Sequence, residues 1–122
     1  MSTTARDSAL LLEGCSVVDV RAGESRAGQA VLAVDGRIAA VGRAADVAAH
    51  EAARGARRID LGGATVAPGI VNCHVHFGLV LPGPTFERLR HESHPARALR
   101  MAMNARNTLR AGVTTVRLVG EE

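Results

Sequence analysis

Lysine, tryptophan and tyrosine are absent from these 122 residues: all 15 basic side chains are arginine, and Phe77 and Phe86 are the only aromatics. A core must therefore be assembled from Val, Leu, Ile and Ala, each of which buries little area, so a lean core and modest stability are expected. No apolar run approaches the ~20 residues that a membrane-spanning helix needs, so no membrane association is expected. The opening Met-Ser-Thr-Thr-Ala-Arg-Asp lacks the apolar stretch of a secretory signal, and Cys15 and Cys73 form no CxxC pair. Two separated thiols without a visible export signal lead us to expect a reducing, cytoplasmic setting.

The net charge is +3 and the sequence pI about 10.0, values that raise the question of nucleic acid. The arginines are dispersed, however, and the densest group, Arg54, Arg57 and Arg58, has no aromatic neighbour on which a base could stack. A solvated arginine surface is the simpler reading, and nucleic acid is not an expected partner. With 47% hydrophobic and 22% charged residues, the chain has the composition of a globular protein.

Short β-compatible runs dominate the first half: Ala9 to Glu13, Ser16 to Val20, Gln29 to Val34 and Arg37 to Gly42. The last two flank Asp35-Gly36, the strongest short-range signal for a hairpin, because both central residues of the turn need positive φ. Ala44 to Arg54 is alanine-rich and suggests one helix stopped by Gly55. Arg57 to Asp60 and Ala64 to Ala67 suggest two more strands. Residues 8–67 thus read as a small β-rich module behind a frayed tail of seven residues.

Pro68-Gly69 is punctuation, and residues 68–122 read as one βαβ unit. Ile70 to Phe77 suggests a buried strand, and Leu79 to Arg90, with Pro82, Gly83 and Pro84, a loop. Ser93 is placed to cap a helix with Pro95 in its first turn. Ala98, Met101, Ala102, Ala105 and Leu109 form the stripe expected to face the core, with Arg97, Arg100, Asn104 and Asn107 off it. Gly112 suits the position after the helix, and Val113 to Val119 reads as a second buried strand.

His74 and His76 carry the sharpest chemical signal. Positions i and i+2 of a strand share a face about 6.6 Å apart, so two rings leaning together can grip one cation. Asn72 has the same parity. Val71, Cys73, Val75 and Phe77 have the other, expected to face the covering helix. Both histidines fall at the C-terminal end of the strand, the edge where parallel α/β architectures bind ligands. The bland alternative is a polar patch satisfied by hydrogen bonds. Cys73 has the chemistry of a third ligand, but its parity sends it away. His50, His91 and His94 read as surface residues, and Arg117 as structural or substrate-facing.

Three stretches together resemble the N-terminal part of the metal-dependent amidohydrolase superfamily, in its imidazolonepropionase-like and Xaa-Pro dipeptidase-like branch. They are Asp35-Gly36-Arg37-Ile38-Ala39-Ala40-Val41-Gly42, the run from Ile59 through Pro68-Gly69 to His74-Val75-His76, and Gly112-Val113-Thr114-Thr115-Val116-Arg117. The resemblance implies an α/β chain that starts a (β/α)8 barrel after a small β-sandwich. It also implies His74 and His76 as the first two ligands of one or two divalent ions, zinc above all. The implied activity is metal-dependent hydrolysis of a carbon–nitrogen bond in a small cyclic amide or N-acyl substrate. A deaminase of the same superfamily is the alternative within the enzyme class. Leu118 stands where the branch often has Asp. A full barrel takes about 250 residues, so the barrel is expected to be incomplete and the chain to be the front part of a longer enzyme, inactive by itself. A non-catalytic, homo-oligomerising scaffold is the alternative from another class.

Overall fold

The computed structural model describes residues 9–79 and 85–120, and the chain divides after Pro68 into two compact units. The expected N-terminal tail and the Pro82-Gly83-Pro84 segment lie outside the described residues. Among these, no helix is long and apolar enough to cross a membrane.

The first unit is a five-stranded mixed sheet. It comprises β1 (Ala9–Asp19), β2 (Glu24–Val34), β3 (Arg37–Arg43), β4 (Arg57–Asp60) and β5 (Thr65–Val66). The order is β3-β2-β1-β4, and β5 also pairs with β1. The β2–β3 hairpin turns on Asp35 (φ 50°) and Gly36 (φ 73°), the two positive values that its two-residue loop demands. The two short strands expected on either side of Gly14-Cys15 are one strand carrying a bulge, since the β1–β2 register shifts between Leu12 and Val17. The irregularity is satisfied by the turn between β4 and β5. Leu61 N donates to Glu13 O (2.9 Å), Gly63 N to Gly14 O (2.6 Å) and Ser16 N to Ala64 O (3.0 Å).

The helix expected over 44–54 is broken. Helix α1 covers Ala44–Ala48, and a 3-10 turn covers Glu51–Gly55. Between them His50 is extended (φ −61°, ψ 138°), and its Nδ1 accepts from Ala52 N at 3.2 Å. Six residues of straight helix would set Val47 and Ala53 about 120° apart. The break lets both join Leu11, Ala30 and Leu32 in the buried core. Leu11 and Leu32 are fully buried, the largest side chains that are, so the expected leanness of the core is real.

The other face of this sheet holds a cavity of about 470 Å³ whose lining includes Val17, Val31, Ile38, Val41 and Val66. A β-sandwich requires a second sheet on such a face. Among the described residues the unit has one sheet, where a sandwich was expected.

The second unit pairs β6 (Ile70–Val75) in parallel with β7 (Val113–Leu118). The connection contains α2 (Thr85–His91) and α3 (His94–Arg110). The βαβ order is as expected, but α2 replaces the C-terminal part of the expected loop. The proline and glycine that argued for a loop end at Pro84, and nothing from Thr85 to His91 breaks a helix. Ser93 caps α3, its Oγ accepting from Ala96 N at 3.4 Å. Gly112 at φ 87° ends the helix, with its N–H on Leu109 O at 3.0 Å. Gly69 has a steric reason: a Cβ there would overlap the Thr114 side chain, so only glycine lets the two strands start this close.

The face of α3 is the main correction. Its half-buried residues are Arg97, Arg100, Met101, Asn104, Ala105 and Thr108. Ala98, Ala102 and Leu109 of the expected stripe are exposed, as are Leu99 (71%) and Met103 (64%). In the apolar row Val71 is 62% exposed and Cys73 exposed, while Val75 and Phe77 are half-buried. Two of the inward polar groups donate to backbone carbonyls beyond the end of β6, Asn104 to Phe77 O and Arg100 to Gly78 O. A buried polar group left unsatisfied costs about 1–3 kcal/mol.

Leu11→Ala is expected to destabilise the chain by about 2–5 kcal/mol, through lost transfer energy plus a cavity. Leu99→Ala is expected to change stability by no more than about 0.5 kcal/mol. Urea unfolding of both variants checks the contrast.

Candidate metal centre

Strand β6 carries the expected Asn72 and His74, but it ends at Val75 rather than Phe77, so His76 follows one residue beyond the strand. The β6–β7 register shifts between Asn72 and Val75, so His74 sits inside a break in the ladder. Irregularities of this kind re-aim side chains. Backbone groups freed there are taken up by side chains. Asn72 Oδ1 accepts from His74 N at 3.1 Å, and Arg117 Nε donates to Cys73 O at 3.0 Å. Arg117, whose role was open between structure and substrate, therefore has a structural duty.

The two rings meet edge to face, with centroids 5.1 Å apart and planes at 64°. Their Nε2 atoms lie 3.1 Å apart. Two donors about 2.0–2.1 Å from a tetrahedral zinc lie roughly 3.3 Å from each other, so the pair nearly has the required separation. Without an ion, the same two nitrogens make one N–H···N hydrogen bond, which is the polar-patch alternative. His76 Nδ1 faces Gly120 O at 3.4 Å. A carbonyl can only accept, so in a neutral ring this contact places the proton on Nδ1 and leaves Nε2 bare. Metal-binding histidines are commonly oriented by such a contact.

Both histidines line a cavity of about 540 Å³ shared with Asn72, Leu79, Asn104 and Thr108. His74 is exposed and His76 half-buried. Among the described residues, no three His, Cys, Asp or Glu side chains come together. The described residues therefore bring together two imidazole nitrogens and no third donor of these types. Cys73 is a free, exposed thiol outside the cavity lining. His50, His91 and His94 are exposed, as expected.

Asn104 was missed because it was placed off the apolar stripe of α3, and Thr108 was assigned to neither side. The available signal was the alignment of Arg97, Arg100, Asn104 and Thr108 at spacings of three and four, a polar stripe as regular as the apolar one.

Solved structures share this architecture. A crystal structure of an amidohydrolase matches 94% of the chain at 26% identity and TM-score 0.75. The chain resembles the N-terminal portion of an amidohydrolase. A prolidase complexed with N-methylphosphonate-L-proline matches 93% of it at 27% identity and TM-score 0.75. Phenylurea hydrolase B matches 93% at 26% identity and TM-score 0.72. The chain spans about a quarter of each of these proteins, 26%, 26% and 25% of their lengths. No protein-family profile and no curated sequence matches it.

The segment beyond the amidohydrolase-like strand end is tied by charge. Glu92 binds Arg100 through both carboxylate oxygens, with Arg97 Nε 3.8 Å away. The hydrogen bond from Arg100 first, and then the nearby positive charges, hold the Glu92 carboxyl below the usual carboxylate range. A folded-state value below the unfolded one makes this contribution complete above the ordinary glutamate pKa of about 4.3. It is lost as pH falls through the depressed folded value. Acid should therefore loosen the native chain less steeply below about pH 4 in Glu92→Gln than in the parent, relative to each protein's stability at neutral pH. Urea midpoints measured from pH 6 to 3 check this, and parallel curves would refute it.

Proposed function

We propose that this chain supplies His74 and His76 as the first two metal ligands of a hydrolase acting on carbon–nitrogen bonds of a small cyclic amide or N-acyl substrate. The observation that carries the reading is the 3.1 Å approach of the two Nε2 atoms at the end of a parallel strand. The likeness to an amidohydrolase, a prolidase and a phenylurea hydrolase supports the choice of bond. In this reading the remaining ligands and the general base come from outside these residues, which correspond to about a quarter of those proteins. The substrate class belongs to the proposal too.

A divalent ion, zinc in the leading case, supplies Lewis acidity that acidifies water and polarises a carbonyl. The chain's own residues do the rest of the work assigned here. His74 and His76 offer two nitrogen donors. The Gly120 carbonyl, 3.4 Å from His76 Nδ1, would favour the tautomer that leaves Nε2 free for an ion. Asn72 and Arg117 hold the backbone on either side of His74's amide. The Cys73 thiol, exposed and free, suits a reducing, cytoplasmic setting. A deaminase would use the same pair, so the reaction class within the superfamily depends on residues beyond these.

The exposure of Ile70, Val71, Leu99, Met103, Leu109 and Leu118 favours a second reading, a non-catalytic module that self-assembles. That reading expects an obligate oligomer by light scattering, and a monomer removes it.

Zinc titration against a chromophoric chelator tests the metal reading. The chain is expected to bind one Zn2+. His74→Ala and His76→Ala should each weaken binding by more than about tenfold, while Cys73→Ser leaves it unchanged. Zinc binding indifferent to both histidine substitutions would sink the proposal.

A further inference from the structure

Strand β6 ends at Val75, and the chain runs on through His76, Phe77 and Gly78 without a place in the β6–β7 ladder. Side chains from α3 take the carbonyls of this exit. Asn104 Nδ2 donates to Phe77 O at 2.7 Å, and Arg100 donates to Gly78 O. Gly78 is buried. Arg100 is itself oriented by Glu92, whose Oε1 lies 3.0 Å from its Nε. A neighbouring bond from Arg97 Nη2 to Leu89 O at 2.8 Å ties the last turn of α2 to the same face. The held carbonyls belong to the first and second residues after His76, and Asn104 lines the same cavity as the two rings.

From this we infer that Asn104 and Arg100 are positioning residues for His76. They fix the strand exit through its carbonyls and so keep the His76 ring turned toward His74. The inference rests on the two-histidine metal reading. Metal sites tolerate donor displacements of only about 0.2 Å. A free strand exit would let the two nitrogens drift past that margin, whereas a helix-borne clamp on both following carbonyls prevents it. The clamp also accounts for the inward polar face of α3. A purely apolar face would supply no side-chain donor to the Phe77 and Gly78 carbonyls.

The test uses the 122-residue chain with Zn2+ as the probe, read by chelator competition, thermal melting and the 1H–15N signals of the histidine rings. Asn104→Leu keeps the size and deletes the donor, and Arg100→Lys keeps the charge and deletes the planar fork. Arg110→Ala, on the exposed side of α3, is the control. The two clamp variants are expected to bind Zn2+ about tenfold more weakly, as loss of an outer partner typically does. Their ring signals should shift in the ion-free protein while melting stays close to that of the control. Asn104→Gln, which restores a donor, should recover part of the affinity. Clamp variants that bind like the control with unmoved ring signals overturn the inference alone. So does an affinity loss that merely tracks a loss of melting temperature. If Asn104→Leu does not fold, Arg100→Lys decides by the same criteria. A parent chain that fails to bind Zn2+ through His74 and His76 overturns the metal reading and this inference with it.

Discussion

Where β6 slips out of register with β7 after Asn72, the amide of His74 and the carbonyl of Cys73 bond to side chains, Asn72 Oδ1 and Arg117 Nε. Farther on, the carbonyls of Phe77 and Gly78 do the same with Asn104 and Arg100. Backbone polar groups that leave a ladder must find partners, and here four side chains provide them over the six residues 73–78. The convergence of the His74 and His76 rings depends on that arrangement. A regular strand would space the two side chains evenly along one face. The irregular one brings their Nε2 atoms to 3.1 Å.

The same requirement explains why the second unit has its polarity turned around. The inward face of α3 bears two arginines, an asparagine and a threonine beside Met101 and Ala105, while Leu99, Met103 and Leu109 are exposed. The arrangement stabilises the strand exit and contributes little apolar burial, since no α3 residue is fully buried. The first unit has the complementary economy. Its two fully buried leucines and small alanines make a thin core, and the Arg58–Glu13 pair, 2.6 and 2.9 Å between partner atoms, ties β4 to β1 on the exposed surface. That hydrogen bond lowers the Glu13 pKa, although exposed pairs of this kind add little to stability. It also engages one member of the arginine group that had raised the nucleic-acid question.

Much of the local structure was legible in the residues. The Asp35-Gly36 turn could be read because only a few residue types tolerate its two positive φ values. Ser93, Pro95 and Gly112 marked α3 because cap chemistry is local. The parity of His74 and His76 followed from the strand period, and the amidohydrolase resemblance from the stretches around them agrees with the solved structures that share this architecture. The break at His50 was not legible, since alanine propensity favours a continuous helix and only the shared core position of Val47 and Ala53 opposes it. Helix α2 was hidden behind Pro82-Gly83-Pro84, whose influence stops at Pro84.

The sequence by itself determined the β2–β3 turn and the two ends of α3, and it gave His74 and His76 the same parity at the end of β6, because turns, caps and alternation are written in neighbouring residues. Tertiary structure alone decided which side of α3 turns inward and how near the two rings come. Those outcomes depend on carbonyls at Cys73, Phe77 and Gly78 finding donors from Arg117, Asn104 and Arg100, residues 22 to 44 positions away. Hydrophobic periodicity cannot register such a demand, because it scores side chains and is blind to the backbone groups they must serve.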